Sequence, residues 1–201
     1  TRKESSAASD VYKDSTELEE ACLLLLAWRV GLPGLAFVSP QELQGALPLP
    51  KSTPGTAASG GLVPLLEPET AAGEVEPAPL AFGPLSEELR LPRSPASVMA
   101  RLLHARAVSG VARGQLLRVV SGPAGTLATV TRLPDGSCWV LAANFGSGSA
   151  TLRIPLPVSG AVQDIVEQTS LTAQGGLTVT LNGRSARHYL VRAAASPKEP
   201  S

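Results

Sequence analysis

The side chains that most often carry chemistry are few in this sequence and far apart. Two histidines, His104 and His188, and two cysteines, Cys22 and Cys138, are spread over 201 residues. A catalytic or metal-binding imidazole needs a carboxylate, a thiolate or a second imidazole at fixed spacing. Neither histidine is followed by a carboxylate, and His104 has no Cys, Asp or Glu at ligand spacing. His104 therefore reads as a surface or partly buried residue, and His188 as a satisfied histidine at a sheet edge. No serine is framed as Gly-x-Ser-x-Gly, the strained turn that presents a hydrolase nucleophile. Gly122-Pro123-Ala124-Gly125 and Asn144-Phe145-Gly146-Ser147-Gly148 lack the lysine and the strand-to-helix setting of a phosphate loop, and read as turns. Glu67, Glu69, Glu74 and Glu76 fall in a Pro/Gly-rich stretch and read as solvated. No catalytic, substrate-binding, cofactor-binding or metal-ligating residue is assigned, and no cofactor is implied.

Charge adds little. Lys plus Arg and Asp plus Glu number 17 each, for a formal net charge of zero, and the basic residues are scattered. No field favours nucleic acid or an anionic membrane. Cys22 and Cys138 fall in a predicted helix and a predicted core strand, where two buried thiols act as small hydrophobes; this usage fits a reducing compartment such as the cytoplasm. The longest apolar run, 21–38, is broken by Arg29 and Pro33 and is too short on either side to cross a bilayer. The N-terminus carries no initiating Met and no signal-peptide pattern, which predicts a chain that continues a longer protein.

Six segments follow from local pattern. Residues 1–16 are small and polar and read as a flexible lead-in. Residues 17–47 read as the end of an α/β unit. There Thr16-Glu17-Leu18-Glu19 has the form of a capping box, and apolar residues surround the helix over 18–30, which predicts burial against something larger than the chain's own loops. Gly31 stops it, and Leu32-Pro33-Gly34-Leu35-Ala36-Phe37-Val38 reads as a turn and a short strand ended by Ser39-Pro40. Residues 48–93 read as a loop or linker, rich in Pro, Gly, Ala, Ser and Thr. Residues 94–110 read as a helix, with Ser94 as N-cap, Pro95 at the first helical position and Gly110 as the stop. Its apolar face is Val98, Met99, Leu102, Leu103 and Ala107, with Arg101 and Arg106 elsewhere. Residues 194–201 read as a disordered tail.

Residues 115–193 change period. Seven short strand candidates, 115–121, 127–133, 138–144, 150–156, 161–167, 176–181 and 187–193, are separated by Gly, Pro, Ser and Asn turns. Pro134-Asp135-Gly136 is a turn with a mechanism, so 127–133 and 138–144 form a hairpin. The run from Cys138 to Ala143 has no charge and predicts a strand covered on both faces. Residues 150–154 and 177–181 alternate as half-buried strands do. The expected architecture is mixed, an α/β remnant followed by an antiparallel β-sandwich of Greek-key or meander order.

Leu32-Pro33-Gly34, Leu43-Gln44-Gly45-Ala46-Leu47-Pro48-Leu49, Phe82-Gly83-Pro84-Leu85-Ser86-Glu87-Glu88-Leu89, Met99-Ala100-Arg101-Leu102-Leu103-His104-Ala105-Arg106 and Leu141-Ala142-Ala143-Asn144-Phe145-Gly146 occur in this order. With these parts the chain resembles the C-terminal third of an α-amylase family protein, in which the last unit of a (β/α)8 barrel leads into a β-sandwich, domain C. Gly-Ala-Leu-Pro-Leu and Gly-Pro-Leu look most like bacterial trehalose synthases, which interconvert maltose and trehalose. The family's Tyr-Gly-Asp/Glu-Glu-Ile-Gly is replaced here by Val38-Ser39-Pro40-Gln41-Glu42-Leu43. Retaining glycoside chemistry needs two carboxyl groups about 5 Å apart, and the family's lie on earlier barrel strands that nothing in this chain matches. The resemblance therefore implies a non-catalytic portion that stabilises a barrel, with the remaining barrel as its partner and an α-glucan or disaccharide reached only through that part. Two alternatives are a non-catalytic interaction subunit resembling the heavy chain of heteromeric amino-acid transporters, and a carbohydrate-binding sandwich that uses Trp139 as a stacking platform.

Overall fold

A computed structural model describes residues 2–45, 82–123 and 125–193, with side chains from Glu17 onward. The elements are α1 (Arg2–Gly31), α2 (Pro40–Gln44), α3 (Leu85–Glu88), α4 (Pro95–Ser109), a 3-10 turn (Val111–Arg113) and eight strands. These are β1 (Gln115–Ser121), β2 (Thr126–Arg132), β3 (Cys138–Asn144), β4 (Ala150–Pro155), β5 (Gly160–Asp164), β6 (Ser170–Ala173), β7 (Gly176–Leu181) and β8 (Ser185–Ala193). The first sheet has the order β1-β2-β3-β8-β5-β6 and the second is the pair β4-β7, all antiparallel.

The β2–β3 hairpin forms where Pro134-Asp135-Gly136 places it. Asp135 accepts from the Ser137 N–H at 3.0 Å, Gly136 takes φ 84°, and Leu133 and Ser137 close the turn at 2.8 Å. Every residue of β3 is buried, because the sheet is covered on both sides. Alternate side chains feed two cores. Val130, Cys138, Val140, Ala142 and Val191 face Leu152, Ile154, Leu177, Val179 and Leu181 of the β4-β7 sheet. Trp139 and Leu190, with Leu133 and Ile165, face Leu26, Ala27 and Val30 of α1 and Val98, Met99 and Leu102 of α4. The helices and the sandwich thus share one sheet.

α4 follows its local signals. Ser94 accepts from the Ser97 N–H at 3.2 Å, Pro95 opens the helix and Gly110 ends it with φ 71°. Ala107 leaves the expected apolar face and is exposed.

Several elements differ from expectation. α1 starts at Arg2, so 2–16, expected as a lead-in, is helical and Thr16 lies inside the helix instead of capping it; no Pro or Gly interrupts 2–30, and Ala, Lys and Glu favour continuation. Residues 35–38, expected as a short strand, carry no assigned secondary structure, because a strand needs a hydrogen-bonded neighbour and none is supplied by the described residues. Ser39-Pro40-Gln41-Glu42 is a capping box that opens α2 instead of a bare strand stop. β6 is an additional short edge strand, too polar to stand out. β5 ends at Asp164, not 167, because the Asp164 carboxylate accepts from the Val166 and Glu167 N–H groups, each at 2.9 Å, and turns the chain. Of the expected 48–93 linker, Phe82 to Arg93 is described and contains α3; the rest of it, and the tail 194–201, lie outside the described residues.

Candidate functional site

The end of α1 leaves carbonyl groups that need donors. Arg106, on α4, supplies them. Its guanidinium is buried and donates to the carbonyls of Val30 at 2.6 Å, of Leu32, and of Gly34. A planar fork of five N–H groups can serve three carbonyls at once, which lysine cannot. Burial pulls the Arg106 pKa below its ordinary value. Gly34 has φ 94° and donates to the Ala112 carbonyl at 3.1 Å, fixing the Leu-Pro-Gly turn against the 3-10 turn after α4.

Beyond that turn, Leu35 and Phe37 point outward, 88% and 78% exposed, while Ala36 and Val38 are half-buried and Val38 packs on the helical core. Ser39 then caps α2, accepting from the Glu42 N–H at 3.2 Å and donating its own N–H to Glu42 at 2.8 Å. Both Glu42 oxygens accept from Arg29 of α1 at 2.8 Å, which with Ser39 holds the Glu42 carboxyl below the usual range. Segment 35–38 is therefore tied to the helices at both ends. It offers main-chain hydrogen-bonding groups and apolar side chains, and no nucleophile, acid or base.

Several other described carboxylates are engaged elsewhere or stand beside like charges. Glu17 pairs with Arg184 at 2.9 Å, and Asp164 and Glu167 with Arg187 at 3.4 and 3.0 Å. Glu19 and Glu88 line an open groove of ≈ 670 Å³ with Phe82, Leu91 and Arg93. Burial, then the charges of Glu88 and Glu20, raise the Glu19 carboxyl. Among the described residues no three His, Cys, Asp or Glu side chains gather as a metal site, and no helix is long and apolar enough to cross a membrane. The Glu67, Glu69, Glu74 and Glu76 group lies outside the described residues.

The other residues marked by the sequence have structural tasks. Trp139 has 0% exposure, so it is a core side chain and cannot stack on a sugar. His104 is exposed. His188 is not at a sheet edge: β8 lies between β3 and β5, and the ring is fully buried under α1, 5.6 Å from the Trp139 ring centroid. Its Nε2 is 3.0 Å from the Ala27 carbonyl and Nδ1 has no partner among the described residues, so the neutral ring carries its proton on Nε2. Burial pulls its pKa down to about 4, against the opposing pull of the Ala27 carbonyl. Cys138 is buried and Cys22 only half-buried, both are free, and burial raises both thiols.

Asn144-Phe145-Gly146 acts as a clasp. The Asn144 amide donates to the Gly148 and Asn182 carbonyls at 2.7 and 3.0 Å and accepts from the Gly146 N–H at 3.0 Å. This holds two turns together and directs Phe145 edge-on to Trp28 of α1, with ring centroids 5.6 Å apart at 70°. Arg106 and Arg29 were the residues missed by sequence reasoning. The capping box at Ser39 was the available signal for Glu42; nothing local marks Arg106.

The order of elements, helices leading into an antiparallel sandwich, is a fold shared with the C-terminal part of amylase-type glycoside hydrolases. AmyP in complex with maltose superposes with a TM-score of 0.58 at 14% identity, over 89% of this chain and 36% of that one. AmyP E221Q in complex with maltotriose gives 0.57 at 12% identity, over 88% and 35%. An Anoxybacillus α-amylase is similar over 51% of this chain and 23% of its own, at 14% identity and a TM-score of 0.43. The chain spans about a third of the AmyP chains it matches. No family model and no curated protein sequence matches it.

Proposed function

We propose that this chain is the C-terminal, non-catalytic portion of an α-amylase-family enzyme, that its sandwich and helices stabilise a (β/α)8 barrel, and that the whole is a trehalose-synthase-like α-glucosyltransferase acting on maltose. The observation that carries the first part is the segment 35–38, placed between α1 and α2, with Ala36 and Val38 half-buried and Leu35 and Phe37 left in solvent. A β/α unit has this shape when its neighbouring strands are supplied from elsewhere. The likeness to AmyP over nine-tenths of this chain and a third of that one supports the same reading. The trehalose-synthase assignment rests on the short motifs Gly-Ala-Leu-Pro-Leu and Gly-Pro-Leu.

The test is the polypeptide encoded immediately upstream of Thr1. It is expected to supply the missing strands and two facing carboxylates, and the longer protein is expected to convert maltose to trehalose. The 201-residue chain alone should do neither hydrolysis nor transfer. Turnover by the chain alone would overturn the non-catalytic assignment. Hydrolysis without trehalose would leave an amylase-family enzyme and remove the finer one.

A further inference from the structure

The geometry points to Asn182–Gly183 as a modification site, at which the folded chain converts the Asn182 amide to a carboxylate with water as the co-reactant. The surrounding residues supply the nucleophile, the donors that activate it and the cations that receive the product.

The sequence holds two asparagines, and their settings are opposite. Asn144 is buried, its side chain makes three hydrogen bonds, and Phe145 follows it. Asn182 lies in the turn from β7 to β8, is exposed, and its side-chain amide makes no hydrogen bond among the described residues. Gly183 has no side chain to shield its backbone nitrogen, and that N–H donates to no described acceptor. The carbonyl of the same peptide unit, that of Asn182, accepts two hydrogen bonds, from Asn144 Nδ2 at 3.0 Å and from Ser185 Oγ at 2.7 Å. Donors on a peptide oxygen draw negative charge onto it, and so stabilise the nitrogen once it has lost its proton. The same turn walls a groove of ≈ 430 Å³ to which Arg93, Arg101, Arg184 and Arg187 also contribute, against Glu20 and Glu167. Arg184 is paired with Glu17, and Arg187 with Asp164 and Glu167; Arg93 and Arg101 pair with no described carboxylate, and Arg101 Nε is buried without a described partner. Cations in excess favour both the oxyanion of ring closure and a carboxylate product.

The Gly183 nitrogen gives its proton to hydroxide and attacks Asn182 Cγ. The new N–Cγ bond closes a cyclic imide, and the Cγ–Nδ2 bond breaks as Nδ2 takes a proton from water and leaves as ammonia. A water molecule then opens the imide, at the side-chain carbonyl to give aspartate or at the backbone carbonyl to give isoaspartate. One amide and one water become one carboxylate and one ammonium ion, with no change of oxidation state. Aspartate would compete with Glu17 for Arg184. Isoaspartate would insert a methylene into the backbone at the carbonyl that Asn144 holds, and open the clasp between the two turns.

The 201-residue chain is incubated at neutral pH and about one unit higher, its proteolytic peptides are weighed by mass spectrometry, and an isoaspartate-specific methyltransferase labels the product. The peptide that carries Asn182 is expected to gain about 1 Da, about tenfold faster per pH unit because the nitrogen must first lose its proton, while the peptide that carries Asn144 stays unchanged. The folded chain should convert faster than the free peptide 177–187, which has the same sequence but lacks Asn144 and the groove. Ser185→Ala and Arg184→Gln, each checked for folding by tryptophan fluorescence, should slow conversion by about threefold or more. The comparison of chain with free peptide needs neither variant to fold. No mass gain at Asn182 while the free peptide converts would overturn the site, and conversion no faster in the chain than in the peptide would overturn the part played by the fold. Gain at Asn144 in step with Asn182 would place the reaction in the unfolded chain and overturn it likewise. An unchanged rate in Ser185→Ala would remove the carbonyl donor, and one in Arg184→Gln the cation.

Discussion

Acid should weaken this fold through one ring. His188 is enclosed by Trp139, Leu141 and the last turns of α1, with its Nε2 3.0 Å from a carbonyl and its Nδ1 facing no partner. A second proton would place a charge in that space. The folded ring therefore titrates at about 4, against 6.5 in an unfolded chain. Between those values the unfolded chain binds a proton that the folded chain refuses, so the contribution is complete above pH 6.5 and is lost as pH falls toward 4. The loss is about 1.4 kcal/mol per pH unit and about 3 kcal/mol across the window. His188→Gln keeps an N–H for the Ala27 carbonyl and cannot titrate. Urea unfolding followed by tryptophan fluorescence at pH 7, 6, 5 and 4 measures both proteins, and carboxylates common to both cancel in the difference. The stability difference should move by about 3 kcal/mol in favour of the glutamine variant between pH 7 and 4. A difference constant to within about 0.5 kcal/mol would refute the reasoning.

Two further outcomes follow from the packing between turns and helix. Trp28→Ala and Phe145→Ala, separately and together, should show a coupling of about 1 kcal/mol in a double-mutant cycle of denaturant stability, the usual worth of an edge-on aromatic pair; zero coupling would mean that the pair does not join α1 to the sandwich. Gly183→Ala would push a Cβ into the Ser147 carbonyl, which is backbone and cannot rotate away, and should cost more than about 2 kcal/mol by thermal unfolding; an unchanged midpoint would contradict the close approach of these turns.

What could be read from the sequence was what neighbours in sequence decide. The Pro134-Asp135-Gly136 turn, the Ser94-Pro95 start and Gly110 stop of α4, and the uncharged run of β3 each declare themselves within a few residues. The two-sided burial of β3 was readable for the same reason, although which helices cover it was not. Arg106 was opaque because its acceptors lie 72 to 76 residues earlier. A basic residue at the back of a helical wheel carries no mark of that. His188 was misplaced because sheet order is a long-range fact: the last strand inserts beside the third. Segment 35–38 shows the opposite case: its apolar residues read as a short strand, yet it carries no assigned secondary structure and pairs with no neighbour among the described residues. The arginine anchors Arg29 and Arg106 were not legible in the sequence.

Because β3 and β8 give one set of side chains to the small sheet and the other to α1 and α4, the all-β part is not a detachable module. Excision at Gln115 would strip the cover from Trp139, Leu133, Ile165 and Leu190 at once and leave a broad greasy plane in water. Attempts to graft the eight strands onto another protein would have to carry α1 and α4 along, so the helices and the two sheets form one unit of transfer.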